Sequence, residues 1–412
     1  MEWLMNIMFW ILYFALLYIT VVLLFLLVEA DENKTRKKKL RTLPKVSVVV
    51  PAYNEEKTIG ETLKSLLKLD YPKNKLEIIA VNDGSTDKTE EIIKSFEKDG
   101  IKLLKQKNRG KGACLNRGLK VAKGEFVACL DADSFVERDT LKNMIPYFSS
   151  ERVGAVTPVM KIKNPKTLLQ KIQWFEYILY IYLKKILEQI NSIHVTPGPF
   201  TIYRRSAILK IGGFDETSIV EDQEIAYRLQ KNQYKIVQSE SGDVFTIAPR
   251  NIPNLYKQRS RWFRGTIITL YKYRDMVFNR RYGDFGMYQL PSLIFSIFLF
   301  VFILIFFAYY MLLPLAQTIN RFAMVNFAIV IKPSVEYIFS SLFYIDYGKF
   351  FIIALFFVVS IVMMVKAHKE VEERIRIRNS AALAAFFIAY YILMSFIWLA
   401  SMVELVIYRN KW

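Results

Sequence analysis

The sequence predicts an α/β domain with a mixed, mostly parallel sheet, attached to a membrane by spanning and interfacial helices. Two observations lead to this class. Between residues 31 and 285, short apolar runs that end in turns alternate with segments of helical period. That order favours parallel strands covered by helices on both faces. Long apolar stretches lie before and after this region, and they are long enough to cross a bilayer.

The first predicted membrane segment is residues 1–30. Trp3–Val28 is almost wholly apolar, and a basic cluster follows it at Lys34–Arg41. A secretory signal peptide has the opposite order, with its positive charges first. We therefore expect an N-terminal transmembrane helix whose basic flank lies in the cytoplasm.

Three further apolar runs predict that residues 286–412 form a membrane region with about three transmembrane helices. The runs are about Leu290–Leu315, Phe350–Val365 and Ala381–Ile407. The basic loop between the last two is expected in the cytoplasm. The stretch Phe322–Phe343 has two interpretations, because charged residues interrupt it. A full crossing would move the basic loop outside, so an outer or re-entrant amphipathic segment is favoured.

The composition limits which side chains could bind a metal or act as acids and bases. The chain has 412 residues and a formal net charge of +19, with two cysteines and two histidines. No disulfide framework and no histidine-based metal site of the usual spacing is expected, so acid–base work falls to carboxylates. Aromatic and basic residues concentrate at about 165–190 and 252–278, which predicts interfacial helices and a lipid bilayer as partner. No nucleic-acid partner is expected, since no such motif is present.

Polar side chains follow the predicted strands of the middle region. Glu55 follows "KVSVVVPAYN", Asp83 follows "LEIIAVN", and Asp131 and Asp133 follow "EFVACL". In parallel sheets ligands bind at the carboxyl ends of strands. The pair Asp131 and Asp133 suits Mg²⁺ or Mn²⁺ shared with a phosphate, and it equally suits a helix cap.

Three other segments each have a functional and a purely structural interpretation. Lys111 lies in a glycine-rich segment, which either binds phosphate or is simply a solvated turn. Asp222 stands at a helix start, where it serves as a cap or as a general base. Gln258, Arg261 and Trp262 are spaced to share one helix face, either toward a ligand or in a helix lying on a membrane.

The ordered motifs "PAYNEE", "VNDGSTD", "NRGKGACLNRG", "DAD", "GPFTIYRR", "GGFDE", "ED" and "QRSRW" resemble those of membrane-bound family-2 glycosyltransferases. That group contains cellulose, chitin, hyaluronan and poly-N-acetylglucosamine synthases. The resemblance covers about residues 44–265. It implies that residues 31–285 form a cytoplasmic GT-A-like domain that binds a nucleotide sugar.

The resemblance also implies residue roles. Tyr53, Glu55 and Asp83 would hold the nucleotide base, Lys111 the phosphates and Asp131 the donor, while Asp133 would bind Mg²⁺ or Mn²⁺. Asp222 would be the catalytic base, and Gln258, Arg261 and Trp262 would contact the diphosphate and the acceptor sugar. Gly198, Pro199 and Phe200 would line the acceptor site.

The function implied is inverting transfer from a UDP-sugar, UDP-GlcNAc or UDP-Glc, to the growing end of a β-linked polysaccharide. Transfer would occur at the cytoplasmic face of the cell membrane, coupled to secretion, in a homo-oligomer or a single chain. The gating loop of cellulose synthases and a hyaluronan synthase motif are not visible in the sequence. Addition of one sugar to a lipid-linked acceptor therefore stays open as an alternative. A transporter with a nucleotide-sensing domain is disfavoured by the few charges within the predicted spans.

Overall fold

The computed structural model of the chain describes residues 2–30, 42–324, 347–376 and 379–407. The basic cluster 34–41 and residues 325–343 of the ambiguous apolar segment lie outside the described residues. The predictions made for them stay predictions.

A single sheet organises the middle of the chain. Its strands are β1 (Val46–Ala52), β2 (Leu76–Asn82), β3 (Lys102–Lys105), β4 (Phe126–Cys129), β5 (Phe135–Val136), β6 (Val153–Ile162), β7 (Thr201–Arg204) and β8 (Lys235–Thr246). The order across the sheet is β3-β2-β1-β4-β7-β6-β8-β5. Within the described residues four strand pairs are parallel and three are antiparallel. The predicted mixed, mostly parallel sheet is confirmed.

Fourteen helices are defined in the described residues. They are α1 (Glu2–Ala30), α2 (Ile59–Leu67), α3 (Thr89–Ser95), α4 (Lys111–Val121), α5 (Thr140–Met144), α6 (Leu168–Gln189), α7 (Arg205–Lys210), α8 (Glu221–Lys231), α9 (Ile252–Lys272), α10 (Leu290–Phe307), α11 (Leu313–Met324), α12 (Tyr347–Glu370), α13 (Ser380–Ala385) and α14 (Tyr391–Ile407). π-Helical turns join α10 to α11 and α13 to α14.

The central strand β1 shows why an unbroken apolar run forms a buried strand here. All seven of its residues are buried. Val48 and Val50 pack on one face with α2, α3 and α5, while Val49 packs on the other with α4, α7 and α8. Since successive side chains of a strand point to opposite faces, a strand covered on both sides needs apolar residues throughout.

The two predicted interfacial segments are helices with defined starts. Thr167 and Gln170 form a reciprocal capping box at the start of α6. Asn251 caps α9, its side chain accepting a hydrogen bond from the Asn254 backbone N–H at 3.0 Å. One side of α6 packs on β6 and the other on α12, so this helix joins the sheet domain to the apolar helices.

Three stretches of the described chain are long and apolar enough to cross a membrane by length and composition. They are Asn6–Leu26, Phe285–Phe307 and Ser380–Ile407. The remaining predicted span, Phe350–Val365, lies within α12, which is not among these three. The four-span topology therefore stays a prediction.

Candidate active site

The carboxyl ends of β1, β2 and β4 meet at one edge of the sheet, beside a cavity of about 230 Å³. The cavity is lined by Pro51, Ala52, Tyr53, Glu55, Asp83, Lys111, Cys114, Asp131, Ala132, Asp133 and Arg261. The structure thus brings seven of the predicted donor-binding residues to one cavity, although they span more than 200 positions of the chain. Parallel strands explain the clustering, because their carboxyl ends share an edge.

Asp83 is buried and organises the loop before α4. Its Oδ1 accepts hydrogen bonds from Gln106 Nε2 at 2.7 Å and from the Arg109 backbone N–H at 3.0 Å. Its Oδ2 accepts from the Gly110 backbone N–H at 2.9 Å, and Gly110 has a φ of +88°, which favours glycine. Asp83 therefore shapes the cavity wall. Tyr53, 48% exposed at the rim, presents an aromatic ring to any ligand there.

Carboxylates accumulate where Asp131 and Asp133 follow β4. Burial, together with the neighbouring charges of Asp131 and Glu55, raises the pKa of the Asp133 carboxyl to about 6. A nearby cation would stabilise the ionised form of such a carboxylate and lower its pKa. In the described residues no group of three or more potential ligands is arranged around a common metal position. The donor set fits an ion held by one or two carboxylates and otherwise by substrate oxygens, as Mg²⁺ and Mn²⁺ commonly are.

Lys111 begins α4 and bridges two acids. Its Nζ lies 2.6 Å from Asp131 Oδ1 and 2.7 Å from Glu221 Oε1. Burial disfavours the charged ammonium, but Asp131, Glu221 and Asp222 outweigh burial and hold the pKa of Lys111 well above its usual value. The amine is therefore a fixed positive charge at the cavity.

Gly198 packs directly on this ion pair. A Cβ at this position would lie 2.6 Å from both Asp131 Oδ2 and Lys111 Nζ. The next residues of the predicted acceptor segment are buried, and the Phe200 side chain is fully enclosed in the core beneath the sheet. Phe200 has no exposed surface, and the acceptor role of Gly198, Pro199 and Phe200 stays a prediction.

Asp222 is the second residue of α8. Burial and the adjacent Glu221 raise the pKa of its carboxyl to about 6, while Lys111 and Arg261 act in the opposite direction. Thr196 fixes the backbone here, donating from Oγ1 to the Asp222 carbonyl at 2.7 Å. Because Glu221 is occupied by Lys111, Asp222 is the acid of this pair that remains available to take a proton.

Helix α9 places the motif residues Gln258, Arg261 and Trp262 beside α8. The two helices approach closely at Gly265, where a Cβ would lie 2.4 Å from both methyl groups of Val220. Arg261 lines the cavity. Trp262 is partly buried, and the Arg259 guanidinium lies over its ring at 4.3 Å. In the described residues, Gln258 Oε1 is buried without a hydrogen-bond partner.

Two residues of this region were not given a role from the sequence. Glu221 was recognised only as an acid at a helix start, yet it pairs with Lys111. Arg259 was passed over within "QRSRW", yet it is 4% exposed and bonds to Glu176 Oε2 at 2.5 Å. The only sequence indication for Arg259 is an acid, Glu176, within the aromatic segment that forms α6.

Comparisons with known proteins agree with this geometry. Residues 47–212 match the family model described as glycosyl transferase family 2. The poly-beta-1,6-N-acetyl-D-glucosamine synthase of Staphylococcus epidermidis is 38% identical over 224 residues, 53% of this chain and 54% of that protein. The synthase of the same name from Staphylococcus aureus (strain COL) is 35% identical over 237 residues, 57% of each chain. The chain thus matches just over half the length of these curated relatives.

A solved structure extends the likeness of fold to nearly the whole chain. The mannosyltransferase from Pyrobaculum calidifontis, in complex with GDP-Man and Mn²⁺, superposes with a TM-score of 0.58 and 18% identity. The superposition covers 99% of both chains.

Proposed function

Because residues 47–212 form a family 2 glycosyltransferase domain, we propose that the chain transfers a sugar from a UDP-sugar to the growing end of a β-linked polysaccharide. UDP-GlcNAc is the first donor to test, since the curated relatives are named as poly-N-acetylglucosamine synthases. The observation that carries the proposal is the convergence of Asp131, Asp133, Lys111 and Arg261 on one cavity.

The donor would lie along the strand ends, with its base toward Tyr53, Glu55 and Asp83. Lys111 and Arg261 supply positive charge for the diphosphate. Asp133, with Asp131 beside it, would hold Mg²⁺ or Mn²⁺, which supplies charge neutralisation of the leaving diphosphate. Fixed charges that are already in place lower the barrier without reorganising during the reaction.

The chemical step is a single displacement. An acceptor hydroxyl oxygen attacks the anomeric carbon, the bond from that carbon to the diphosphate oxygen breaks, and the nucleoside diphosphate leaves with the bonding electrons. The hydroxyl proton passes to the Asp222 carboxylate. One displacement inverts the anomeric configuration, so an α-linked donor would give a β-linkage.

The acceptor would lie between Asp222 and α9. Trp262 offers a ring on which a sugar can stack, and the absence of a side chain at Gly198 lets the Lys111–Asp131 ion pair pack against the backbone there. Apolar helices packed on the same domain favour an acceptor at the membrane, and we place the domain on the cytoplasmic side with the basic loops.

The test uses purified full-length protein in lipid nanodiscs. Labelled UDP-GlcNAc, UDP-glucose and GDP-mannose are supplied one at a time with Mg²⁺ or Mn²⁺, and the products are separated by size. A ladder or high-mass product from one donor supports the synthase and identifies its sugar. Addition of a single sugar to a lipid would instead indicate a glycolipid transferase. No transfer from any donor would contradict the proposal.

A further inference from the structure

The face of α9 that points away from the cavity is attached to the C-terminal membrane span Ser380–Ile407. We infer that Glu404 of this span is a positioning residue for the transfer reaction, holding α9 at the depth where Arg261 and Trp262 can act. The expected effect on the transfer rate rests on the proposed function. The attachment of α9 to Glu404 does not.

Glu404 contacts one stripe of α9. Tyr256 Oη donates to Glu404 Oε1 at 2.5 Å, and Ser260 Oγ donates to Oε2 at 3.1 Å. Arg264 Nη1 lies 3.6 Å from the same Oε2. These three residues stand four apart, so they follow one side of the helix over two turns.

Tyr256 and Ser260 lie away from the motif face, while Arg264 stands about 60° from Arg261 and reaches Glu404 from the side. At about 100° per residue, Ser260 stands about 160° from Gln258 and about 100° from Arg261 around the helix axis. Arg261 faces the cavity and Gly265 faces Val220 of α8, so the Glu404 contacts approach α9 from the other side. A helix held on both sides has a fixed rotation and depth, and both determine where Arg261 ends.

A second contact from the same span supports the arrangement. Tyr390 Oη donates to Glu176 Oε2 of α6 at 2.8 Å, and that oxygen also accepts from Arg259 of α9. Arg259 covers the Trp262 ring. The span therefore meets α9 at Glu404, and it also meets Arg259 of α9 at Tyr390, both through Glu176 and by a hydrogen bond of 3.4 Å from Arg259 Nη2 to Tyr390 Oη.

The chemistry of Glu404 argues against a role in anchoring alone. Glu404 is the single charged residue of the apolar helix Tyr391–Ile407, and an apolar residue in its place could not make its polar contacts with Tyr256, Ser260 and Arg264. The partners described above all belong to the helix that carries the motif residues. A carboxylate at position 404 is explained if it fixes the position of α9.

The experiment compares full-length Glu404→Gln and Glu404→Leu with the wild type in nanodiscs, using UDP-GlcNAc and Mn²⁺. Misplacing a reacting group by about 1 Å costs about 100-fold in rate, so we expect Glu404→Leu to lose roughly 10- to 100-fold in kcat. Glu404→Gln, which can still accept from Tyr256, should lose less. Donor affinity should fall by less than kcat, because α9 contributes only Arg261 to the cavity, and thermal stability should stay close to wild type.

Glu370→Gln is the matched control. Glu370 ends α12 and pairs with Lys185 of α6, so the change breaks a comparable ion pair that does not involve α9. We expect its kcat to stay near the wild-type value. Equal losses in Glu370→Gln and Glu404→Gln would overturn the inference, and so would an unchanged kcat in Glu404→Leu.

Hydrogen–deuterium exchange of residues 254–268 separates this inference from the proposed function. In Glu404→Leu these amides should exchange faster, whether or not any sugar is transferred. If the wild type transfers no sugar, the proposed function fails while the exchange result still tests the attachment. Unchanged exchange, or a parallel loss of kcat, donor affinity and thermal stability, would reduce Glu404 to a structural residue.

Discussion

Neighbouring charges give Asp222, an acid at a helix start, the properties that the proposed role as general base requires. Its raised pKa, about 6, leaves it ionised at neutral pH and still basic enough to accept a proton. Glu221 contributes to that rise while it is itself engaged with Lys111. The spacing of the two acids is visible in the sequence, but the pairing with a lysine 110 positions earlier is not.

The pH dependence of transfer should follow from this carboxyl. Below about pH 6 Asp222 is protonated and cannot accept the hydroxyl proton, so the rate should fall as the pH drops through 6. Asp133 titrates in the same range, and the acid limb therefore belongs to both groups. The measurement is kcat against pH at saturating donor and metal.

Asp222→Asn is the control for that profile. It should lower kcat by about 10²- to 10⁴-fold, the usual contribution of a general base, and leave donor binding near wild type. Transfer at an undiminished rate in this variant, or a wild-type rate that stays level below pH 6, would remove Asp222 as the base.

Gly198 should not tolerate even one added methyl group. In Gly198→Ala the Cβ would lie 2.6 Å from Asp131 Oδ2 and Lys111 Nζ, and both groups would have to move. We expect the affinity for the UDP-sugar to fall roughly tenfold or more, as measured by calorimetry. Gly60→Ala in α2 is the control, since its Cβ would meet Ile92 at an ordinary 3.5 Å. Similar affinities in the two variants would contradict the close packing.

At the scale of elements, strands β1, β2 and β4 could be predicted, and the half of the sheet formed by β7, β6, β8 and β5 could not. β1, β2 and β4 are apolar runs that end in turns, and their polar ends gave the candidate site. β6 and β8 were not assigned from the sequence. Val153 pairs with Lys235, and such a distant partner is chosen by tertiary packing and not by local pattern.

The contact between α8 and α9 gives a prediction for a pair of elements. Gly265→Ala would place a Cβ 2.4 Å from the Val220 methyl groups, so α9 must move away from Asp222. We expect kcat to fall roughly tenfold, with a smaller loss of donor affinity through the displaced Arg261. Adding Val220→Ala, which removes those methyl groups, should restore part of the rate. A double variant no faster than Gly265→Ala would argue against this steric cause.

At the scale of the whole molecule, the sequence indicated where the chain meets the membrane but not how α9 and α14 are joined. The predicted runs Trp3–Val28, Leu290–Leu315 and Ala381–Ile407 overlap the three described stretches that are long and apolar enough to cross a membrane, Asn6–Leu26, Phe285–Phe307 and Ser380–Ile407. The bond between Tyr256 and Glu404 joins residues 148 positions apart, and although an acid in an apolar helix is visible in the sequence, its partner is not.

Membrane topology can be tested with introduced cysteines, because both native cysteines, Cys114 and Cys129, are buried. We expect Lys369→Cys, at the exposed end of α12, to react with a membrane-impermeant maleimide only from the cytoplasmic side. Lys98→Cys in the sheet domain should behave in the same way, and Gln317→Cys on α11 should react from the outside. Labelling of Lys369→Cys from outside would require a different number of crossings.

The two edges of the sheet have a consequence for self-association. β3 is four residues long and ends in exposed lysines, and β5 at the opposite edge has two residues. Short, charged edges resist pairing with a strand of another molecule and so protect against fibrous aggregation. If copies of this chain assemble, we therefore expect them to meet through their apolar helices, with no strand of one copy pairing with a strand of another.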